Sequence, residues 1–417
     1  MTNATRTMGV LVGAGILLNM SCLYAQDWPQ WLGPHRDAKA SGFQAPKTWP
    51  KELTQKWKIS IGDGVATPAL VGDKLYVFSR QQGSEILRCL DAATGKEQWQ
   101  DKYESGGVTG AASGFSGPRS SPIVADGKIV TLGVRGILSC YDAATGKKLW
   151  RKDDFQGSWP RFFVSSSPVV VDGLCIAQLG GQRNGTIVAY NLANGEQKWK
   201  WSGDAPAYAS PELMTVGDTK VLVAEMEKSI VALNATDGKL LWQTPFAVRG
   251  RGYNASTPMV DKQTILYSGS SRGTTAVKIE KQGDSLAAKE LWKNQEVSVQ
   301  FNTPVIYEDK IFGISAQDSL FCLKASDGKT AWTASLQGGG GGGRGSRPGY
   351  GSIVVAGPVL FALNPSAQLV VFEPSDKSFK QLAKYKVGER DTYAYPVVAG
   401  NRVYVKDRDS LILWTIE

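Results

Sequence analysis

Arginine carries a rigid, permanently charged fork that binds carboxylate and phosphate through two donors at once. The chain has 17 arginines, and most of them stand between its apolar segments rather than within them. Arg119, Arg135, Arg161, Arg183, Arg249, Arg251, Arg272, Arg344 and Arg347 form the candidate ligand-binding set. Several lie beside glycine, as in Arg249-Gly-Arg-Gly252 and Gly343-Arg-Gly-Ser-Arg347, where backbone can approach a ligand closely. The chemistry they offer is the binding of an anionic small molecule or of an acidic protein segment. The competing reading pairs them with neighbouring acids such as Asp101, Asp153, Asp154, Asp204, Glu225 and Asp391.

Other chemistry is thinly supplied. The single histidine is His35, so no His–Ser or His–Cys catalytic pair is expected in the body of the chain. A multi-histidine metal site is excluded for the same reason. No Cys-x-x-Cys-His haem motif occurs, and no Asp/Asn/Glu cluster has the spacing of a calcium loop. No catalytic residue and no metal ligand is therefore expected.

Residues 1–25 read as a secretory signal, with Arg6 ahead of an apolar Met8–Leu18 stretch and Ala25 at a cleavage point before Gln26. The expected destination is the periplasm or the exterior. Lipidation at Cys22 is a second reading, against which Asn19 stands where an aliphatic residue is wanted. Loss of Arg6 takes the formal charge from +9 to +8, a basic surface that favours anionic partners. No run of Lys/Arg suggests nucleic acid, and no later stretch is apolar enough to span a membrane. Cys89, Cys140 and Cys322 share one repeat position and, with Cys175, are expected to be buried and unbonded.

A repeat must position the arginines. Prolines at 68, 122, 168, 211, 258, 304 and 396 follow Ser, Thr or Tyr, and tryptophans at 57, 99, 150, 199, 242, 292 and 332 recur every 40 to 51 residues. Each interval holds four strands of about five residues: an edge strand A bearing the proline, strands B and C, and a strand D bearing the tryptophan, which is expected to pack between neighbouring blades. Asp-Gly and Thr-Gly supply the left-handed positions of tight hairpins. The pattern predicts an all-β, eight-bladed propeller over 53–417, preceded by a strap over 26–52. Residues 350–385 form a degenerate seventh blade. The eighth blade is completed by Leu53–Ser60, which pairs with the C-terminal strand. In such a wheel the B–C and D–A loops share one face, and 12 of the 15 arginines beyond residue 52 map to it.

The segments Asp91-Ala-Ala-Thr-Gly-Lys-Glu-Gln-Trp99 and Asp142-Ala-Ala-Thr-Gly-Lys-Lys-Leu-Trp150 resemble the tryptophan-docking repeat of the pyrroloquinoline quinone (PQQ) propeller family. Weaker copies end at Trp199, Trp242 and Trp332. The resemblance covers nearly everything beyond residue 50, and length and fold are closest in kind to its BamB-like, non-catalytic branch. That branch implies a periplasmic scaffold, with an envelope protein segment as partner in outer-membrane protein assembly and with no cofactor. The other branch implies a PQQ-dependent oxidoreductase using PQQ and calcium. The adjacent cysteine pair typical of its alcohol dehydrogenases is absent here.

Overall fold

The computed structural model describes residues 26–248, 252–336 and 348–417. Residues 1–25, with Cys22, and Arg249, Arg251, Arg344 and Arg347 lie outside these. Among the described residues the architecture is eight antiparallel four-stranded sheets around an axis, one of them extended by a strap strand. In the second blade, strands A to D are Ile123–Ala125, Lys128–Leu132, Leu138–Asp142 and Lys148–Lys152. The seventh blade, Ser352–Ala356 to Gln381–Lys386, keeps all four strands without the repeat signature. Closure follows the expectation. Thr54–Ser60 pairs antiparallel with Ser410–Thr415, so both chain ends are held within one blade.

Each blade is fastened to the next at the periphery. The indole of Trp99 lies over the C–D turn of the second blade, where a Cβ on Gly146 (φ +72°) would stand 2.5 Å from it. Trp57 on Gly95, Trp150 on Gly195 and Trp199 on Gly238 repeat this contact. Trp150 and Trp199 also donate Nε1–H to Leu192 and Ala235 carbonyls. The turn itself is stiffened by Asp142, whose carboxylate accepts from both Thr145 N–H and Thr145 Oγ1–H. Those donors hold its carboxyl below the usual range. Where the turn sequence changes, so does the contact. Trp332 donates to the Ser375 carbonyl and meets Phe379, 5.9 Å between centroids, in the seventh blade. All four cysteines of the wheel are buried and unbonded.

The strap crosses one end of the central channel. Trp28, fully buried, exchanges two backbone hydrogen bonds with Leu70 of the first blade. Arg36 bridges to Glu212 (3.2 Å) and donates to the Pro211 carbonyl (2.6 Å) in the fourth. Lys39–Ala40 then pairs in parallel with Val355–Ala356 of the seventh. Three widely separated blades are tied by one segment.

Candidate functional site

The residue before each strand-A proline has a task beyond the extended backbone that proline imposes on it. Its hydroxyl accepts the N–H of the equivalent residue one blade back. Thr67 N–H donates to Ser121, Ser121 to Ser167, Ser167 to Ser210, Ser210 to Thr257 and Thr257 to Thr303, at 2.9 to 3.2 Å. The seventh blade has Gly351 at this position and no hydroxyl to offer. Tyr395 of the eighth blade reaches across the gap: its hydroxyl accepts Thr303 N–H and donates to the Thr303 carbonyl, both at 3.1 Å. Tyr395 N–H then closes the circle on Thr67 Oγ1 at 3.0 Å. A belt of hydrogen bonds thus encloses the axis.

Above the belt, seven of the eight D–A loops each turn one aromatic ring towards the axis. Neighbouring centroids run Phe115–Tyr393 5.0 Å, Tyr393–Tyr350 5.0 Å, Tyr350–Phe301 4.2 Å, Phe301–Tyr253 6.0 Å and Tyr253–Phe162 4.7 Å. Tyr208 packs on both Tyr253 and Phe162, 5.6 and 6.1 Å away. The eighth loop contributes Val65. Arg119 closes the circle between the first and last rings, donating to the Phe162 carbonyl at 2.6 Å and the Phe115 carbonyl at 2.9 Å.

Polar side chains hold these loops in place. Asn254, next to Tyr253, donates to the Met226 and Phe246 carbonyls, and Asn302, next to Phe301, to those of Ile314 and Gly349. Phe162 N–H donates to the Tyr208 hydroxyl.

Trp31 of the strap forms the floor. Its indole N–H donates to Thr257 Oγ1 at 3.2 Å, and its ring meets Tyr395 edge-on at 5.0 Å. Walls and floor enclose a cup of about 410 Å³ that opens among the D–A loops. That volume lies in the range of small-molecule sites, roughly 300–1,000 Å³. Arg119 is the one charged side chain among the described residues that line it. Burial lowers its pKa from the ordinary guanidinium value.

The arginines singled out from sequence divide by environment. Arg119, Arg135 and Arg272 spend donors on backbone carbonyls. Arg135 donates to Gly107 at 2.6 Å and lies over the Trp159 ring, 4.7 Å from its centroid. Arg272 donates to Phe246 at 2.5 Å and to Asn254 Oδ1 at 2.6 Å, which braces the loop bearing Tyr253. Arg161 and Arg183 are exposed. Arg161 follows directly on the cup, beside Phe162 (5.4 Å), and Arg183 borders a polar groove with Asp204 and Lys228. Arg80 lies next to the last residue of a long strand B, opposite Glu85. The acids named as partners are engaged elsewhere or unpaired. Asp101 meets Arg151 at 2.9 Å. Glu225 is fully buried with neither carboxyl oxygen hydrogen-bonded among the described residues. Burial raises its pKa well above the usual range, against the opposing pull of the nearby Arg272 charge.

The sequence reading missed the cup. Its only trace is an aromatic two residues before the belt position in Tyr208, Phe301 and Tyr393 and one residue before it in Tyr350; the loops bearing Phe115, Phe162 and Tyr253 differ in length and hide it. The donor set also bears on the cofactor of the oxidoreductase branch. Among the described residues no carboxylate lines the cup, and no three His, Cys, Asp or Glu side chains gather where they could hold a metal. This lining does not fit calcium-bound PQQ.

Comparison with known proteins agrees with the fold. The chain is 30% identical over 200 residues to "Outer membrane protein assembly factor BamB" of Burkholderia pseudomallei, covering 46% of each protein. It therefore spans about half the length of that relative. A second protein of that description, from Yersinia pestis, is 24% identical over 68% of this chain and 70% of its own length. The quinohemoprotein alcohol dehydrogenase of Comamonas testosteroni matches at 26% over 45% of this chain and 27% of its own. Among solved structures, BamB from Moraxella catarrhalis superposes with a TM-score of 0.65 at 16% identity, over 87% of this chain and all of that one. The Comamonas testosteroni dehydrogenase gives 0.70 at 14%, over 94% and 81%. At such identities these likenesses speak for the fold alone. The model of the family described as outer membrane protein assembly factor BamB matches residues 82–334, well over half of the chain, and the chain belongs to that family.

Proposed function

We propose that the chain is an exported, non-catalytic scaffold of outer-membrane protein assembly. It holds an envelope protein segment, or an anionic ligand, on the face built by its D–A and B–C loops. The observation that carries this reading is the coincidence of two features on one face: an apolar axial mouth and exposed positive charge at Arg161 and Arg183. Apolar centres ringed by charge are a common anatomy of protein-binding surfaces. Arg249, Arg251, Arg344 and Arg347, read from the sequence alone, are counted with the proposed charge.

The test is retention of envelope proteins from extracts by the wild type and by a variant carrying Arg161→Glu with Arg183→Glu. The scaffold reading expects specific proteins held at low salt and lost by the double variant. Retention of the same set by both would overturn it, as would retention of none. Arg249→Glu with Arg347→Glu repeats the comparison on the other arginines of the set. The dehydrogenase relatives favour a second reading, a PQQ-dependent oxidoreductase. A rise of several degrees in Tm on adding PQQ and Ca²⁺ would put it first.

A further inference from the structure

The walls of the cup are mostly aromatic rings, and its polar lining includes three belt hydroxyls and one guanidinium. Ser210, Thr257 and Thr303 line the cup, and each already accepts a backbone N–H from the belt. Thr257 accepts a second proton, from Trp31. Thr257 thus has both lone pairs engaged and offers a ligand its O–H, and Ser210 likewise donates its proton to no other described residue. Arg119 adds a cationic fork, which uses one donor on each of two carbonyls out of the five it carries. Among the described residues it has no carboxylate within ion-pair distance, although burial penalises its charge.

A neutral sugar asks for acceptors as well as donors. A cationic ligand would be attracted by the ring faces but would meet Arg119 inside a poorly solvated space. An apolar body with a single acceptor anion satisfies both parts of the lining at once.

We infer that the cup is a binding site for a small aromatic or apolar monocarboxylate, its body enclosed by the aromatic ring and its carboxylate held by Arg119 and the belt hydroxyls. The site is defined by the axis, so it stands whether or not the surrounding face recruits a protein.

Calorimetric titration of the purified chain with 3-phenylpropionate, 3-phenylpropanol and 3-phenylpropylamine tests it. The carboxylate is expected to bind at least about ten-fold more tightly than the alcohol, the usual gain from a charge-assisted hydrogen bond. The amine is expected to bind weakest. Arg119→Met should bring the carboxylate down to the level of the alcohol and leave the alcohol unchanged. Because Arg119 also joins two loops, Ala111→Trp at the exposed lip supplies a second variant, which should abolish binding of both ligands while the fold is retained. Equal affinity for carboxylate and alcohol, strongest binding of the amine, or no binding of any of the three at millimolar concentration would overturn the inference. So would PQQ binding more tightly than the monocarboxylate, which would return the cup to the cofactor of the dehydrogenases.

Discussion

Two concentric rings hold this wheel together, and they are built on opposite principles. At five of its junctions the outer ring repeats a single contact, a strand-D tryptophan (Trp57, Trp99, Trp150, Trp199 or Trp292) on the glycine of the next blade's C–D turn. The inner ring has no such uniformity. Its belt uses Ser, Thr and, across the seventh blade, Tyr395; its aromatic tier draws Phe or Tyr from loops of different lengths and leaves Val65 in one place. Repetition at the periphery leaves the axis free to vary. Each outer contact serves two blades, so a change there damages an interface wherever it falls. Each inner side chain faces a shared space, so a change there alters what the space holds.

The largest expected effect is on the outer ring. Gly146→Val combines a left-handed φ of +72° with a Cβ 2.5 Å from the Trp99 indole. Strain and overpacking together should cost about 3–5 kcal/mol in urea unfolding. Gly127 has a similar φ of +69° with nothing within 4 Å. Gly127→Ala should cost only about 1 kcal/mol. Equal losses would show that the tryptophan contact adds nothing to the backbone requirement.

A smaller loss is expected at the belt. Thr257→Val removes the acceptor of both Ser210 N–H and the Trp31 indole N–H. Leaving these buried donors unpaired should cost about 2–3 kcal/mol, with Thr257→Ser restoring most of it. A valine variant as stable as wild type would reduce the belt to a by-product of blade geometry.

The smallest signal is a pH slope. Burial raises the Glu225 pKa above its unfolded value, so folding takes up a proton there. Its contribution is fully present below the unfolded carboxyl pKa and is lost as pH rises through the folded one. Glu225→Gln does not titrate, so its stability relative to wild type should climb by about 1 kcal/mol for each pH unit in that window. Parallel Tm-versus-pH curves for the two proteins would mean that Glu225 is ionised in the fold and paired with Arg272.

The outer ring and the count of blades are legible in the sequence because each copy of a short segment carries one half of each of two contacts, although the contacts themselves join neighbouring blades. Asp142, Thr145, Gly146 and Trp150 sit within nine residues, and each copy of that segment states its own turn and its own tryptophan. Even the shared eighth blade can be read, since a strand D without its blade at one end matches a blade without its strand D at the other. The arginines were harder. Their placement in loops is visible, but the carbonyls that hold Arg119 and Arg272 belong to residues 26 to 43 positions away, Arg272's on Phe246 and Arg119's on Phe162, and Arg119's second lies only four away, on Phe115.

By itself, then, the sequence determined the propeller, its eight blades and its manner of closure. All of these follow from periodic, short-range patterns. Only the tertiary structure decided that the hydroxyl before each proline joins a belt, that Tyr395 spans the blade that lacks one, and that Trp31 floors a cup of seven aromatic rings. Those residues lie in different blades, up to 92 positions apart in the case of Thr303 and Tyr395. Nothing along the chain relates them until closure of the wheel brings every inner strand to one axis.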